Sequence, residues 1–271
     1  MHSQQSMVRS ILQLMFQNLS LLSSLHAVIK GKTMNKLNNK TALITGGSKG
    51  IGYGIAEMLM RENMRVAVTS RSPKAAEEAA AKLNRAGVGE AIGIGADVRD
   101  LKSQQNAVDQ IMSKWGSLDV LIANAGIGHF GSIETLTAEQ WQETIDTNLT
   151  GVFYSVKASL NALKKSKGYI ITISSLAGTN FFAGGSAYNA SKFGLVGFTQ
   201  AMMLDVRQEG IKVTTIMPGS VATYFNDHEP SPKDAWKIQP EDIGEMVVDL
   251  LRMHPRTLPS KVEVRPSIPP K

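Results

Sequence analysis

No cysteine occurs among the 271 residues. That absence excludes a disulfide framework, a thiolate metal site and a cysteine nucleophile, and it fits a reducing compartment such as the cytoplasm. His, Asp and Glu do not cluster at metal-ligand spacing either, so no catalytic metal is expected. Long apolar runs are lacking. The stretch ILQLMFQNLSLLSSLHAVI near the start is broken by Gln13, Gln17, Asn18 and several serines, and so falls short of the roughly 18 consecutive apolar residues of a membrane helix. It also lacks the compact apolar core and small-residue cleavage site of a signal peptide. No membrane partner is expected. The competing reading, a protein anchored to a membrane through residues 8–29, would be tested by deleting residues 1–33.

Acid is missing from residues 1–40, which carry Arg9, Lys30, Lys32, Lys36 and Lys40. The rest of the chain holds 24 basic against 23 acidic residues, so most of the net charge of +6 lies on this extension. A charge excess confined to one end is no nucleic-acid footprint, and no nucleic-acid partner is expected. Residues 1–35 read as an extension, either disordered or upstream of the native start, ahead of a folded domain over 36–271 that begins with MNKLNNKTALITGG.

What is present suits one soluble domain: 42% hydrophobic residues, a mean hydropathy of −0.09, and no internal repeat or long linker. TALIT (41–45), RVAVTS (65–70), AIGIGA (91–96), LDVLIA (118–123), GYIITIS (168–174), KVTTIM (212–217) and KVEVRP (261–266) are β-branched, near-continuously apolar and bounded by Gly, Asp or Pro. Parallel strands buried on both faces read this way. Between them, segments such as GIAEMLMREN and PEDIGEMVVDLLRM place apolar residues at i, i+3 and i+4. The alternation predicts an α/β fold, a single Rossmann-like doubly wound domain with a parallel seven-stranded sheet and helices on both faces. Ligands of such sheets bind beyond the carboxyl ends of the strands.

The first strand runs into Thr45-Gly46-Gly47-Ser48-Lys49-Gly50-Ile51-Gly52 and then a helix. Glycines let the backbone approach a pyrophosphate, and the helix start supplies free N–H groups and partial positive charge. The spacing is Gly-x-x-x-Gly-x-Gly, different from the dinucleotide fingerprint Gly-x-Gly-x-x-Gly. At the end of the second strand, where an NAD site places a carboxylate for the ribose hydroxyls, the chain has Thr69-Ser70-Arg71-Ser72. A carboxylate would repel a 2′-phosphate, whereas Arg71 and Lys49 can pair with one, so NADP(H) is favoured over NAD(H).

SAYNASKFG (186–194) sets Tyr188 and Lys192 four residues apart, on one face of a helix. A neighbouring ammonium favours the phenolate, so Lys192 is expected to lower the pKa of Tyr188 and tune it for proton transfer. Alone, such a pair is a common helix-surface coincidence. Around it stand IITISSLAG with Ser175 thirteen residues before Tyr188, DTNLTGVF with Asn148, ANAG (123–126), ADV (96–98) and MPGSVAT (217–223).

In order and spacing, residues 40–224 resemble the short-chain dehydrogenase/reductase family. Both basic positions match those linked with NADP preference there. Ala123 stands where the family's Asn-Asn-Ala-Gly stretch has its first Asn, a departure that bears on strand anchoring more than on chemistry. The resemblance implies an NADP(H)-dependent oxidoreductase that moves hydride between nicotinamide and a carbonyl or secondary alcohol. Tyr188 would be the general acid/base, Lys192 would hold the nicotinamide ribose and favour the tyrosinate, and Ser175 would bond the substrate oxygen. Asn148 would support a water-linked proton relay through its backbone. Nucleotide contacts are implied for Gly46, Ser48, Lys49, Gly50, Ile51 and Gly52, for Ser70 and Arg71, and for Asp97 and Val98. They are implied further for Asn124, Ala125 and Gly126, for Tyr188 and Lys192, and for Pro218, Gly219, Val221 and Thr223.

A small carbonyl or alcohol substrate and a homodimer or homotetramer follow from the same resemblance. His129, Phe130, Phe181, Phe182, Tyr224 and Phe225 are candidates for the substrate wall, and Thr223–Glu241 is expected to form a mobile cover. Members that reduce 3-oxoacyl carrier-protein substrates commonly end in a strand followed by Gly-Gly, and this chain ends LPSKVEVRPSIPPK. A 3-oxoacyl-[acyl-carrier-protein] reductase is therefore kept as the alternative. A non-catalytic dinucleotide-binding sensor or scaffold is the alternative from another class; it would need the glycine turn but not Tyr188, Lys192, Ser175 and Asn148 together.

Overall fold

A computed structural model describes residues 37–86 and 88–270, and the extension expected over residues 1–35 lies outside them. Seven strands form one parallel sheet: β1 (Thr41–Ile44), β2 (Arg65–Ser70), β3 (Glu90–Gly95), β4 (Val120–Ala123), β5 (Tyr169–Ile173), β6 (Lys212–Pro218) and β7 (Lys261–Val264). Their order is β3-β2-β1-β4-β5-β6-β7. Every residue of β1, β4 and β5 is buried, whereas β3 and β7 at the edges are partly exposed. The continuous apolar runs therefore occupy the middle of the sheet, where helices cover both faces.

The helices are α1 (Gly50–Arg61), α2 (Pro73–Ala86), α3 (Leu101–Trp115), α4 (Ala138–Ile145), α5 (Gly151–Ser166), α6 (Ser186–Val206) and α7 (Pro240–Arg252). Local chemistry sets several of their ends. The Asp100 carboxylate accepts from Lys102 N at the start of α3, Thr137 and Gln140 form a reciprocal capping box on α4, and Pro240 opens α7. Apolar faces of α3, α5 and α6 bury Ala107, Ile111, Val156, Leu163, Leu195 and Met202 in one core with Leu43 and Leu121 of the sheet. On the other face α1 packs against α7. Strand order reverses between β1 and β4, so the loops leaving their carboxyl ends diverge and open a cleft.

The fourth strand begins at Val120, two residues later than the apolar run suggests. Asp119, just before it, is a buried anchor at the opposite end of the sheet from the cleft. Its carboxylate accepts from Lys40 Nζ at 2.6 Å and from Thr41 N at 3.0 Å, and its backbone bonds Thr41 and Tyr169. One residue thus ties β1, β4 and β5. Asp119→Ala should lower unfolding stability by about 1–3 kcal/mol, because a buried amide is left without its acceptor. Asp119→Asn, which keeps one acceptor, should lose less. Chemical denaturation read beside steady-state kinetics checks this, with stability falling and kinetics unchanged.

Candidate active site

The glycine turn leaves β1 with Gly46 at φ +63°, and a Cβ there would lie 2.9 Å from the Cα of Ala125. Only glycine lets the β1 and β4 loops approach so closely. Asn124 stitches the two loops together: its Nδ2 donates to the carbonyls of Thr45 at 2.9 Å and Gly46 at 3.0 Å. The Thr45 hydroxyl accepts from the backbone N–H groups of Asn124 and Ala125 in return. Ala123 itself is buried in β4, so the anchoring falls to the second residue of the ANAG stretch. The first turn of α1 has neither a side-chain cap nor an acidic residue, which leaves its amides free for an anion.

Around this turn lies a cavity of about 800 Å³. Its wall includes Gly46, Ser48, Lys49, Gly50 and Ile51 of the turn, Ser70 and Arg71 after β2, and Asp97 and Val98 after β3. Asn124, Ala125 and Gly126 line it after β4, Ser175 after β5, and Tyr188 and Lys192 from α6. Pro218, Gly219, Val221 and Thr223 close the side beyond β6. Gly52 does not reach the wall: a Cβ there would lie 2.5 Å from Asn124 Nδ2 and 2.6 Å from the Gly46 carbonyl, so this glycine makes room for the stitch itself. Two wall hydroxyls that were not singled out in the sequence, Thr69 Oγ1 and Thr147 Oγ1, are buried without a partner. Such groups are rare in folded proteins unless a ligand or water completes them. The free helix amides, the close-approach glycine and these two hydroxyls together fit a nucleotide.

Near Arg71 the structure is not free of acid. Glu143 on α4 places Oε1 3.6 Å from Arg71 Nη1 and 3.5 Å from Arg99 Nη1, and Oε2 2.9 Å from His129 Nε2. Arg99 also pairs with Asp97 at 2.7 Å, and that bond holds the Asp97 carboxyl below its usual range. Lys49 sits 5.8 Å from the centre of the Tyr224 ring. The end of β2 has no carboxylate of its own; the fold brings one from 72 residues beyond Arg71.

At the other end, Ser175 caps a short 3₁₀ turn by accepting from Ala177 N at 3.1 Å, and it shares the cavity wall with Tyr188. Lys192, 5% exposed, donates to the Ile173 carbonyl at 3.1 Å and lies 5.6 Å from the centre of the Tyr188 ring. Burial lowers the Lys192 pKa to about 8. Burial also raises the Tyr188 pKa above its ordinary value, and the bond from Ser175 offsets this only in part. The expected direction was the reverse. Lys192 donates to the Ile173 carbonyl, and desolvation, which penalises the phenolate, is the largest influence on Tyr188.

Asn148 lies in a π-helical turn, Asp146–Thr150, between α4 and α5, a distortion frequent at functional sites. Its side chain does not line the cavity. Oδ1 accepts from Ile127 N at 2.8 Å, and Nδ2 donates to the Ile127 carbonyl at 2.8 Å and to Ser191 Oγ at 3.0 Å. It fixes the β4 loop against α6. A Cβ on Gly126 would sit 3.2 Å from Asn148 Oδ1 and 3.7 Å from Lys192 Nζ, so a side chain there would press on the Asn148 amide.

Of the expected substrate wall, His129, Tyr224 and Phe225 line the cavity. Phe130 packs its ring 5.4 Å from Tyr188, 6.3 Å from Phe225 and 6.0 Å from Phe182. Phe181 is 86% exposed and stands apart from this cluster. The Thr223–Glu241 segment carries a polar hub that the sequence did not reveal. Buried Asp234 accepts from Lys237 Nζ at 2.6 Å, His228 Nε2 at 2.9 Å and Ser231 N at 2.9 Å, and these bonds hold its carboxyl well below the usual range. A bridge between Val221 and Ile238 ties the base of the segment. His228 and Lys237 thereby join the cavity wall.

Among the described residues, no helix is long and apolar enough to cross a membrane, and no group of three or more His, Asp or Glu residues is placed to hold a metal.

The short chain dehydrogenase family matches residues 40–234. A putative ketoacyl reductase of Streptomyces coelicolor is 34% identical over 237 residues, covering 79% of this chain and 90% of that protein. D-beta-hydroxybutyrate dehydrogenase of Cupriavidus necator is 38% identical over 189 residues, 69% of this chain and 72% of its own length. A glycine betaine reductase of Emericella nidulans is 31% identical over 240 residues, 85% of this chain, which spans only 19% of that longer protein. Among solved structures, an alcohol dehydrogenase from Thermococcus sibiricus complexed with 5-hydroxy-NADP superposes with a TM-score of 0.81 at 29% identity, covering 86% of this chain and all of the other. A doubly wound parallel sheet, a glycine turn at its switch point, and a serine, tyrosine and lysine gathered in one cleft agree with these matches: the chain belongs to the short-chain dehydrogenase/reductase family, whose members are oxidoreductases acting on alcohol and ketone groups.

Proposed function

We propose that the protein is an NADP(H)-dependent reductase of carbonyl compounds, running in reverse as an alcohol dehydrogenase, with Tyr188 as its general acid/base. The observation that carries this reading is the grouping of Tyr188 and Ser175 on the wall of one cavity, with buried Lys192 one helical turn from the tyrosine. When bound, a nicotinamide nucleotide supplies or accepts the hydride. The chain's own residues move the proton. In reduction the Tyr188 hydroxyl donates to the substrate oxygen, and Ser175 donates a second hydrogen bond that stabilises the developing charge. A raised tyrosine pKa suits that direction, because the phenol keeps its proton through the neutral range. Lys192, protonated below about pH 8, presents an ammonium to the ribose side of the cleft. Asn148 acts through position, holding Ile127 and Ser191 around the reacting groups, and its backbone is the proposed link in a water-borne proton relay.

The preference for NADP rests on Arg71 and Lys49 at the cavity wall and is supported by the NADP-type ligand of the Thermococcus relative. Arg71→Asp should move the ratio of NADPH to NADH efficiency about ten- to a hundredfold toward NADH, the scale of a charge-assisted hydrogen bond. Parallel assays with both nucleotides, following loss of reduced-cofactor absorbance across ketones, aldehydes and 3-oxoacyl thioesters, test the proposal. No turnover with any of them would defeat it. Similarity to the Streptomyces ketoacyl reductase favours 3-oxoacyl thioesters as the first specific class to try.

A further inference from the structure

We propose that Glu143 sets how tightly the cleft takes a 2′-phosphorylated nucleotide, by competing with that phosphate for the guanidinium of Arg71. The inference rests on the NADP reading above. Arg71 is the loosely held member of the Glu143 cluster: its contact is 3.6 Å long and its side chain 60% exposed. Glu143, by contrast, is braced. His129 holds its other oxygen at 2.9 Å, Arg99 approaches at 3.5 Å while anchored to Asp97, and the Thr137–Gln140 capping box fixes the start of its helix.

A phosphate arriving at Arg71 can therefore draw the arginine away, but the carboxylate stays where it is. The guanidinium is shared and two like charges face each other across it, so phosphate binding is weakened while a nucleotide without the 2′-phosphate is unaffected. The bond from His129 holds the Glu143 carboxyl below its ordinary range. Arg71, just after β2, is then shared between the phosphate and a carboxylate from α4.

Dissociation constants of NADPH and NADH, measured by titration calorimetry at low salt, test this on the full chain and its Glu143→Gln, Glu143→Asp, Arg71→Ala and double variants. Glu143→Gln should tighten NADPH about three- to fivefold, the scale of a partly exposed charge pair, with NADH unchanged. Glu143→Asp should stay near the parent, and the gain should vanish when Arg71 is already alanine. Unchanged or weaker NADPH binding in Glu143→Gln overturns the proposal, as does equal tightening of both nucleotides or a gain that survives in the double variant. A separate outcome, Arg71→Ala leaving the NADPH-to-NADH ratio untouched, removes the NADP reading and this inference with it. Circular dichroism of each variant excludes loss of fold as the cause.

Discussion

Tyr188→Phe should lower turnover by about two to four orders of magnitude, the contribution of a positioned general acid, while nucleotide affinity stays close to the parent value. The substitution removes one hydroxyl and keeps the ring that packs on Phe130 and Phe225. Helix α6, which carries it, has an interior that does not depend on that hydroxyl: Asn189, Ser191 and Thr199 make their own buried bonds. The outcome is therefore a chemical defect without a folding defect. Single-turnover kinetics beside nucleotide titration would show it, and near-normal turnover in the variant would reject Tyr188 as the proton donor. Because burial raises the tyrosine pKa, the two directions should also separate with pH: reduction persists through neutrality, and alcohol oxidation, which needs the phenolate, rises as the solution becomes more basic.

Lys192→Met should do two opposite things, inactivating the enzyme and stabilising the protein measured without nucleotide. In the unfolded chain this lysine keeps its proton up to about 10.5; in the folded chain burial lowers that to about 8. Between those values the unfolded state binds the extra proton, so stability rises with pH across that window. Below about pH 8 the folded protein carries the whole penalty of a buried ammonium, about 3 kcal/mol for a shift of this size. Methionine has similar length and no charge. Its gain is reduced because the Ile173 carbonyl loses a donor, which costs about 1–2 kcal/mol. A net stabilisation of about 1–2 kcal/mol at pH 7 is the expected result, with the rise above pH 8 flattened. Denaturant unfolding at several pH values checks both, and a variant less stable than the parent at pH 7 would show that Lys192 is structural. Turnover should fall about a hundredfold or more, as when an electrostatic group is removed from a reacting centre.

Much of this site was legible along the chain because its signals are local. The glycine turn, the Tyr188–Lys192 spacing and the continuous apolar strands each follow from backbone geometry within a few residues. Asn124, His129 and Asp234 show where that legibility stops. ANAG reads as a motif, yet the task of Asn124, joining the carbonyls of Thr45 and Gly46, appears only when β1 and β4 lie side by side. His129 reads as a lone loop histidine, and only packing against α4 reveals its bond to Glu143. Asp234 looks like one charge among several in a Pro-punctuated stretch, and its three partners emerge only when the segment folds back on itself.

The sequence by itself determined the fold class, the positions of its strands along the chain and the family resemblance, since periodicity and turn chemistry are encoded residue by residue. Tertiary structure alone decided three other matters. It set the direction of the Tyr188 pKa, because desolvation depends on what is packed around a group and not on its neighbour four residues away. It put Gly52 and Asn148 behind the wall of the cleft, as supports for the residues in front. It also brought the carboxylate of Glu143 to Arg71, a charge whose field depends on distance through space and is indifferent to the 72 residues between them.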